Sequence, residues 1–175
     1  MNFHRYFPAD RAPVETCIVG TGGFGRSFLA QGLRVPKMRA RVAVDREAEI
    51  AAASLKAAGV EPRRIRICTR ASEAKAAFAA GDFIAAGDLA TVIDLPLDVV
   101  VEATGHPEAG ARHARLALEA SRHLALVSKE VDSVIGPGLA RLAAARGRVV
   151  TPVDGDQPSL LIGLITWAET LGLEI

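Results

Sequence analysis

Six short runs of apolar residues recur along the chain, and the clearest of them do not alternate with polar residues. A continuous apolar run of this length is typical of a strand buried on both faces, as in a parallel sheet. The runs predict strands over residues 16–20, 40–45, 83–86, 98–102, 124–128 and 149–153. Longer stretches rich in Ala, Leu, Arg and Glu lie between them and predict helices over residues 23–33, 47–58, 71–80, 107–122, 138–145 and 158–171.

The alternation of strands and helices predicts βαβ units and therefore an α/β fold. We expect a doubly wound parallel sheet of the Rossmann type, with about six strands and helices on both faces. Pro107 suits the first turn of its helix, because its missing N–H removes no helical hydrogen bond there. Residues 62–64 are expected to form a solvated connection, and the pattern assigns residues 65–68 to neither class.

Composition narrows the class of protein. The chain has 175 residues, of which 50% are hydrophobic and 23% charged, so it is long and apolar enough for one folded domain. Its formal net charge of +1 provides no basic field for a nucleic acid. No run is apolar enough to span a membrane, and the N-terminus lacks the apolar core of a signal peptide. Cys17 and Cys68 suit a reducing compartment, so we expect a cytoplasmic protein.

The strongest motif is the glycine-rich stretch Gly20-Thr21-Gly22-Gly23-Phe24-Gly25. It contains G-x-G-x-x-G between a predicted strand and a predicted helix, which is the context that the motif requires for dinucleotide binding. Gly20 allows a sharp turn, Gly22 lets a diphosphate approach the backbone, and Gly25 lets the helix pack close to the strand. The N–H groups and positive end of the helix would then face the diphosphate.

An acidic residue is expected about 20 positions after the glycines, at the end of the second strand. Asp45 occupies that place, and its carboxylate could accept hydrogen bonds from an adenosine ribose. Arg46 follows directly, and its guanidinium could pair with a 2′-phosphate, so the choice between NAD and NADP stays open. The alternative interpretation is a glycine-rich turn beside a surface aspartate.

Two further strand ends carry candidate residues. Ala103, Thr104 and Gly105 are small enough for the backbone to lie against a cofactor ribose or nicotinamide, although Thr104 could simply cap a helix. His106 is a candidate acid or base, and the alternative is a histidine in a surface turn. Lys129 follows the next strand and could bind or polarise a substrate oxygen, or be a solvated partner of Glu130.

A last polar cluster follows the sixth predicted strand. Asp156 is at a suitable position to cap the last helix. Asp154 is not expected to cap a helix, so we interpret it as a partner of the substrate or of a lysine. No spacing of Cys and His indicates a metal site, and no G-x-S-x-G indicates a serine hydrolase.

A resemblance to a known family rests on these motifs taken together. They include the glycine-rich stretch, Glu102-Ala103-Thr104-Gly105, Ser128-Lys129-Glu130 and the stretch 153–159. From about residue 14 onward the chain resembles the NAD(P)-binding domain of homoserine-dehydrogenase-like oxidoreductases. It is most similar to the bacterial subgroup with a C-terminal SAF domain, which includes deoxyxylulose-phosphate-reductoisomerase-like enzymes. The resemblance implies a Rossmann domain over 14–175 after an N-terminal extension of 1–13, without the family's substrate and SAF domains.

The resemblance also implies roles for particular residues. Gly20 to Gly25 and Asp45 would hold the dinucleotide, Thr104 and Gly105 would line its nicotinamide end, and Lys129 would lie near the substrate. The expected activity is hydride transfer between NAD or NADP and a small oxo or hydroxy compound, with Asp154 orienting Lys129. Because the chain stops about where the substrate domain would begin, we expect a fragment or a truncated product. Whether this chain catalyses the reaction on its own stays open.

Two other functions stay open at this stage. The first is a non-catalytic NAD(P)-binding module or partner-dependent subunit, which would bind a dinucleotide without turnover. The second is a methyltransferase that binds adenosylmethionine through a similar turn, against which the full G-x-G-x-x-G pattern argues. Partners are expected to be the dinucleotide and a small substrate, with neither nucleic acid nor membrane. An exposed helix near the C-terminus would favour a homo-oligomer.

Overall fold

A seven-stranded parallel sheet with helices on both faces organises the chain. The computed structural model describes residues 11–153 and 157–175. The strands are β1 (Val14–Val19), β2 (Met38–Val44), β3 (Ile65–Cys68), β4 (Phe83–Ala86), β5 (Val99–Glu102), β6 (His123–Leu126) and β7 (Val150–Pro152). The helices are α1 (Gly23–Gly32), α2 (Ala48–Ala57), α3 (Ala71–Ala79), α4 (Pro107–Glu119), α5 (Lys129–Ala145) and α6 (Gln157–Thr170).

The order of the strands places a crevice at the centre of the sheet. The order is β3-β4-β2-β1-β5-β6-β7, and every neighbouring pair is parallel. The chain builds outward from β1 on one side and then returns to place β5 on the other side of it. Ligands of doubly wound sheets bind where the order reverses, beyond the carboxyl ends of the strands. Here that point lies between β1 and β5.

Side chains of the central strand alternate between two apolar cores, one on each face of the sheet. Cys17 and Val19 belong to the core that α3, α4 and α5 cover, whereas Ile18 belongs to the core that α1 and α2 cover. Burial on both faces explains why the strand reads as a continuous apolar run. The predicted doubly wound α/β fold is confirmed.

The described residues form seven strands where about six were predicted, and the additional strand is β3, which the pattern assigned to neither class. This strand forms one edge of the sheet, and of its residues only Cys68 is buried. Arg66 lies in the middle of the strand and pairs with Asp82 through a contact of 2.9 Å between Nε and Oδ2. An edge strand with an exposed polar face has no continuous apolar run, so the pattern that found the central strands does not mark it.

Two helix boundaries also differ from the sequence prediction. Helix α5 begins at Lys129, not at 138, and continues through Pro137, because Val131, Gly136 and Leu139 are buried against the core. Tertiary packing therefore overrides the low helix propensity of that segment. Helix α4 ends at Glu119, before the predicted 122, because Ser121 adopts a φ of 57° and turns the chain.

Helix α6 differs from the other helices in what it exposes. Its apolar side chains include Leu161, Ile162, Leu164 and Trp167, which are all more than half exposed. Among the described residues, no helix is both long and apolar enough to cross a membrane.

Candidate functional site

A cleft of about 610 Å³ opens at the carboxyl ends of β1, β2 and β5, at the point where the strand order reverses. The cleft is lined by the residues of the glycine-rich turn, by the end of β2 and by the start of α4. These residues are Val19, Gly20, Thr21, Gly22, Arg26, Val44, Asp45, Arg46, Ile50, Ser54, Gly87, Ala103, Thr104, His106, Ala109, Arg112 and His113.

The turn between β1 and α1, residues 20–22, requires glycine for two local reasons. Gly20 has a φ of +93°, and a Cβ there would lie 2.6 Å from the carbonyl oxygen of Ala103. The missing side chain therefore allows β1 and β5 to approach each other at the floor of the cleft. A Cβ on Gly25 would lie 2.2 Å from the carbonyl oxygen of Gly20, so this glycine lets α1 begin directly against the turn.

The N-terminal end of α1 is open toward the cleft. Gly22 is the N-cap residue and makes no side-chain capping bond. Nothing among the described residues lies within 4 Å of the position that a Cβ would take on Gly22 or Gly23. The first N–H groups of a helix have no acceptor within the helix, and they carry the positive end of its dipole. The arrangement matches the anion-binding end of a helix.

Asp45 lies beside this turn and accepts hydrogen bonds from it. Its Oδ2 accepts hydrogen bonds from the N–H of Thr21 at 2.8 Å and from the Thr21 hydroxyl at 2.6 Å. Its Oδ1 accepts the N–H of Arg46 at 2.8 Å. Burial raises the pKa of Asp45, but these hydrogen bonds and the charge of Arg46 outweigh it and hold the pKa below its ordinary value. The carboxylate is therefore ionised and lies at the mouth of the cleft near neutral pH.

The turn between β5 and α4, residues 103–106, is held by side chains. The N–H of Thr104 donates to Oε1 of Glu102 at 3.0 Å, and the N–H of Gly105 donates to the hydroxyl of Ser128 at 2.9 Å. The N–H of His106 donates to the Thr104 hydroxyl at 3.3 Å, and that hydroxyl donates to Glu102. Successive amides of this turn are thus used within the protein.

Glu102 is the acceptor at the centre of that arrangement. Its side chain is 0% exposed at the carboxyl end of β5. Burial raises the pKa of Glu102, but the nearby side chains of His113 and Ser128 and the hydrogen bonds from Thr104 outweigh it and hold the pKa below its ordinary value. The sequence motif that contains Glu102 indicates no role for it, because its partners His113 and Ser128 are distant from it in sequence.

The structure brings most of the predicted cofactor residues to one cleft, but Gly23, Phe24, Gly25 and Gly105 are not among the residues that line it. Phe24 is 42% exposed and stacks on Phe28 at a centroid distance of 6.3 Å, away from the cleft lining. Lys129 is the first residue of α5, beyond the end of β6, and it too is not among the lining residues. Asp154 lies outside the described residues. No cluster of metal-binding side chains occurs in the described ranges.

Three basic residues of the cleft were missed by sequence analysis: Arg26, Arg112 and His113. Arg26 lies in the first turn of α1, directly after Gly25, so its position beside the glycine motif could have identified it as a residue of the cleft. Arg112 and His113 follow Ala109, which also lines the cleft, at the i+3 and i+4 positions that share one helix face. They make the cleft predominantly basic, with Asp45 as its one carboxylate among the described lining residues.

Solved structures share this architecture. Homoserine dehydrogenase from Thiobacillus denitrificans matches with a TM-score of 0.57 and 21% identity, over 79% of this chain and 29% of that protein. The 1-deoxy-D-xylulose 5-phosphate reductoisomerase from Zymomonas mobilis, solved with NADPH, matches with a TM-score of 0.55 and 20% identity, over 81% of this chain and 39% of that protein. GenD2 from gentamicin A biosynthesis, solved with NAD, matches with a TM-score of 0.54 and 20% identity, over 81% of this chain and 34% of that protein.

The likeness to these oxidoreductases is one of fold. No protein-family model matches the chain, and no curated protein matches it. The chain spans between 29% and 39% of the length of the three solved proteins named above. The shared part is the doubly wound sheet that carries the cleft.

Proposed function

We propose that this chain binds NAD or NADP in the cleft between β1 and β5 and supplies the cofactor-binding part of an oxidoreductase. One observation carries the proposal: the open end of α1 and the ionised Asp45 line the same cleft, at the switch point of the sheet. A diphosphate and an adenosine ribose need these two groups side by side. The likeness in fold to proteins solved with NADPH and with NAD supports the same ligand class.

The cleft suggests an orientation for the dinucleotide. Asp45 would accept hydrogen bonds from the adenosine ribose at the end of β2, and the backbone of Gly22 and Gly23 would contact the diphosphate. The other half of the ligand would extend across β1 toward the turn at Thr104 and Gly105, because dinucleotides bridge the switch point of such sheets. His106 and His113 would then lie near the reacting end.

NADP is our proposed preference over NAD. Arg46 follows Asp45 and lines the cleft, where a guanidinium can pair with a 2′-phosphate through two parallel hydrogen bonds. We expect Arg46→Ala to weaken NADP binding by about tenfold, which corresponds to about 1.4 kcal/mol, and to leave NAD binding nearly unchanged. Arg63→Ala is the control, since Arg63 is exposed and pairs with Glu61 away from the cleft. Equal affinities of the Arg46 variant and the original protein for NADP would remove the proposed preference.

The proposed reaction is hydride transfer between the nicotinamide and a small oxo or hydroxy substrate. When bound, the cofactor supplies the hydride chemistry, and the protein supplies orientation and charge. Lys129 follows β6, the strand next to β5, and we assign it to binding the substrate oxygen. We propose that Asp154 orients this lysine. We also propose that the chain belongs to the SAF-containing subgroup of these oxidoreductases. If Lys129→Ala left the turnover of a hydroxy or oxo substrate unchanged, the role of Lys129 would be wrong.

A second candidate is a non-catalytic NAD(P)-binding module. The cleft's binding groups lie within the described residues, whereas the chain covers only 29% of the homoserine dehydrogenase that it resembles in fold. This candidate expects dinucleotide binding with no turnover of small hydroxy or oxo compounds. A homo-oligomer that uses the exposed apolar side chains of α6 also stays a proposal.

Parallel calorimetric titrations with NAD, NADP and adenosylmethionine test the proposed ligand class. We expect saturable binding of a dinucleotide, tighter for NADP, and no binding of adenosylmethionine. Binding of adenosylmethionine alone would favour a methyltransferase, and no binding of any of the three would contradict the proposal. Turnover assays with the tighter dinucleotide then separate the oxidoreductase from the non-catalytic module.

A further inference from the structure

Glu102 is a fully buried carboxylate that the proposed function does not yet use. It lies at the end of β5, and none of its side chain is exposed. Removing a charged carboxylate from water costs several kcal/mol unless hydrogen bonds or an opposite charge compensate. The residues that pair with it on the two neighbouring strands, Val19 on β1 and Leu126 on β6, are buried and apolar. The carboxylate therefore needs an explanation in its contacts.

One oxygen of Glu102 fixes the turn that forms the β5 side of the cleft. Oε1 accepts the N–H of Thr104 at 3.0 Å and also the Thr104 hydroxyl. That hydroxyl in turn accepts the N–H of His106 at 3.3 Å. The adjacent N–H of Gly105 is held by Ser128, at the end of β6, and Gly105 itself has a φ of +70°. The carboxylate thus determines the path of the backbone at residues 104–106.

The other oxygen is enclosed by α4. A Cβ on Gly110 would lie 2.3 Å from Cγ2 of Val131 and 3.1 Å from Oε2, so the glycine makes room for both side chains under the helix. Oε2 has no hydrogen-bond partner among the described residues, and neither does Nδ1 of His113. That Nδ1 lies 3.9 Å from Oε1, and the His113 side chain, which is 24% exposed, lines the cleft. Glu102 therefore connects the turn to a side chain that faces the ligand space.

We propose that Glu102 is a positioning residue for the nicotinamide half of the dinucleotide. This inference rests on the proposed function, since it assigns the turn at 104–106 to that half of the ligand. By holding the turn in one conformation, Glu102 provides a preformed surface beside which the ring binds, so less ordering is needed on binding. It does not contact the adenosine or the diphosphate, which bind at β2 and at the start of α1.

Paired ligands test the assignment. The ligands are the oxidised dinucleotide that binds more tightly, NAD or NADP, and the matching ADP-ribose or 2′-phospho-ADP-ribose, which lacks only the nicotinamide. Glu102→Leu has a similar volume and no acceptor, whereas Glu102→Gln retains one oxygen for Thr104. We expect the Leu variant to bind the dinucleotide about tenfold more weakly while its ADP-ribose affinity stays within about twofold. The Gln variant is expected to restore most of the dinucleotide affinity.

Two controls separate positioning from general stability. Asp98→Ala removes a carboxylate that accepts the N–H of Glu15 at 2.8 Å, near the opposite end of β5, and should weaken neither ligand. Thr104→Val keeps the Thr104 N–H bond and removes the hydroxyl bridge to His106, so it should reproduce a smaller part of the Leu effect even if the Leu variant does not fold. Calorimetry gives the affinities, and thermal unfolding confirms that each variant is folded.

The outcomes distinguish the two proposals. A selective loss for the dinucleotide in Glu102→Leu, or in Thr104→Val if the former does not fold, supports the positioning role. An equal loss for both ligands, or no loss for either, overturns that role while the proposed function stands, because the original protein binds the dinucleotide. If the original protein binds neither ligand, the proposed function and the inference fail together.

Discussion

The two turns that meet at the switch point differ in how many of their backbone amides are used within the protein. In the β1–α1 turn, the N-terminal end of α1 has no side-chain cap, and the space beyond Gly22 and Gly23 is open. In the β5–α4 turn, the amides of Thr104, Gly105 and His106 all donate to side-chain oxygens. The first turn uses the amides of Gly20 and Thr21 within the protein and leaves the start of α1 open for a ligand. The second turn uses all three of its amides to fix its own shape.

The difference shows how one cleft can combine electrostatic attraction of a ligand with selection of that ligand by shape. Free amides at the positive end of a helix attract an anion of almost any structure, so they give affinity without much selectivity. A turn whose amides are satisfied offers a fixed surface and can select by fit. We therefore interpret the β1–α1 turn as the diphosphate site and the β5–α4 turn as the surface for the other half of the ligand.

The largest expected effect comes from adding a methyl group to the first turn. In Gly25→Ala the new Cβ would lie 2.2 Å from the carbonyl oxygen of Gly20, and neither backbone segment can yield without opening the turn. Overpacking of this kind costs about 1–3 kcal/mol in stability, and we expect dinucleotide affinity to fall by more than about tenfold. Thermal unfolding and calorimetry measure the two effects. Gly138→Ala, where a Cβ meets nothing within 4 Å, is the control.

Removing the carboxylate beside the first turn is expected to have the next largest effect. Asp45→Ala leaves the N–H and hydroxyl of the buried Thr21 without their acceptor, which costs about 1–3 kcal/mol. It also removes the proposed partner of the adenosine ribose, so calorimetry should show weaker binding of the dinucleotide and of ADP-ribose alike. Asp45→Asn, which keeps one oxygen, should lie between. Selective loss of the dinucleotide alone would contradict the assignment of Asp45 to the adenosine side.

A smaller effect is expected at the second turn. Ser128→Ala removes the hydroxyl that accepts the N–H of Gly105, and Ser128 is only 3% exposed. We expect a loss of about 1 kcal/mol in unfolding free energy, and weaker binding of the dinucleotide without a change for ADP-ribose. Denaturant unfolding and calorimetry check both. The matched control is Ser133→Ala, whose exposed hydroxyl donates to the Glu130 carbonyl oxygen. Equal results for the two serines would show that the bond to Gly105 does not matter.

The smallest expected effect is a dependence of stability on pH. The pKa values of Asp45 and Glu102 are lowered in the folded chain, so their ionised forms stabilise it above the pKa of the unfolded chain. That stabilisation is lost as the pH falls through the folded pKa values, below the ordinary carboxylate range of about 4. Unfolding measured between neutral and acid pH should therefore show a steeper decline for the original protein than for Asp45→Asn or Glu102→Gln. Identical slopes would contradict the direction of both pKa shifts.

Sequence analysis predicted the first turn better than the second because its chemistry is local. The glycine spacing, the preceding apolar strand and Asp45 all follow from residues close in sequence, and the structure brings them to one cleft. The second turn depends on residues that are farther away in sequence: Ser128 accepts the N–H of Gly105, and Nδ1 of His113 lies 3.9 Å from Oε1 of Glu102. The edge strand β3 was missed for a related reason, since its single buried residue gives no pattern.

Amide chemical shifts of the labelled protein, followed during titration with ADP-ribose and then with the full dinucleotide, report which turn contacts which half of the ligand. We expect ADP-ribose to shift the amides of residues 20–25 and 45–46 and to leave those of 104–106 unchanged, whereas the dinucleotide should shift both groups. Amides at 20–25 that do not respond to either ligand would contradict the claim that the open end of α1 binds the diphosphate.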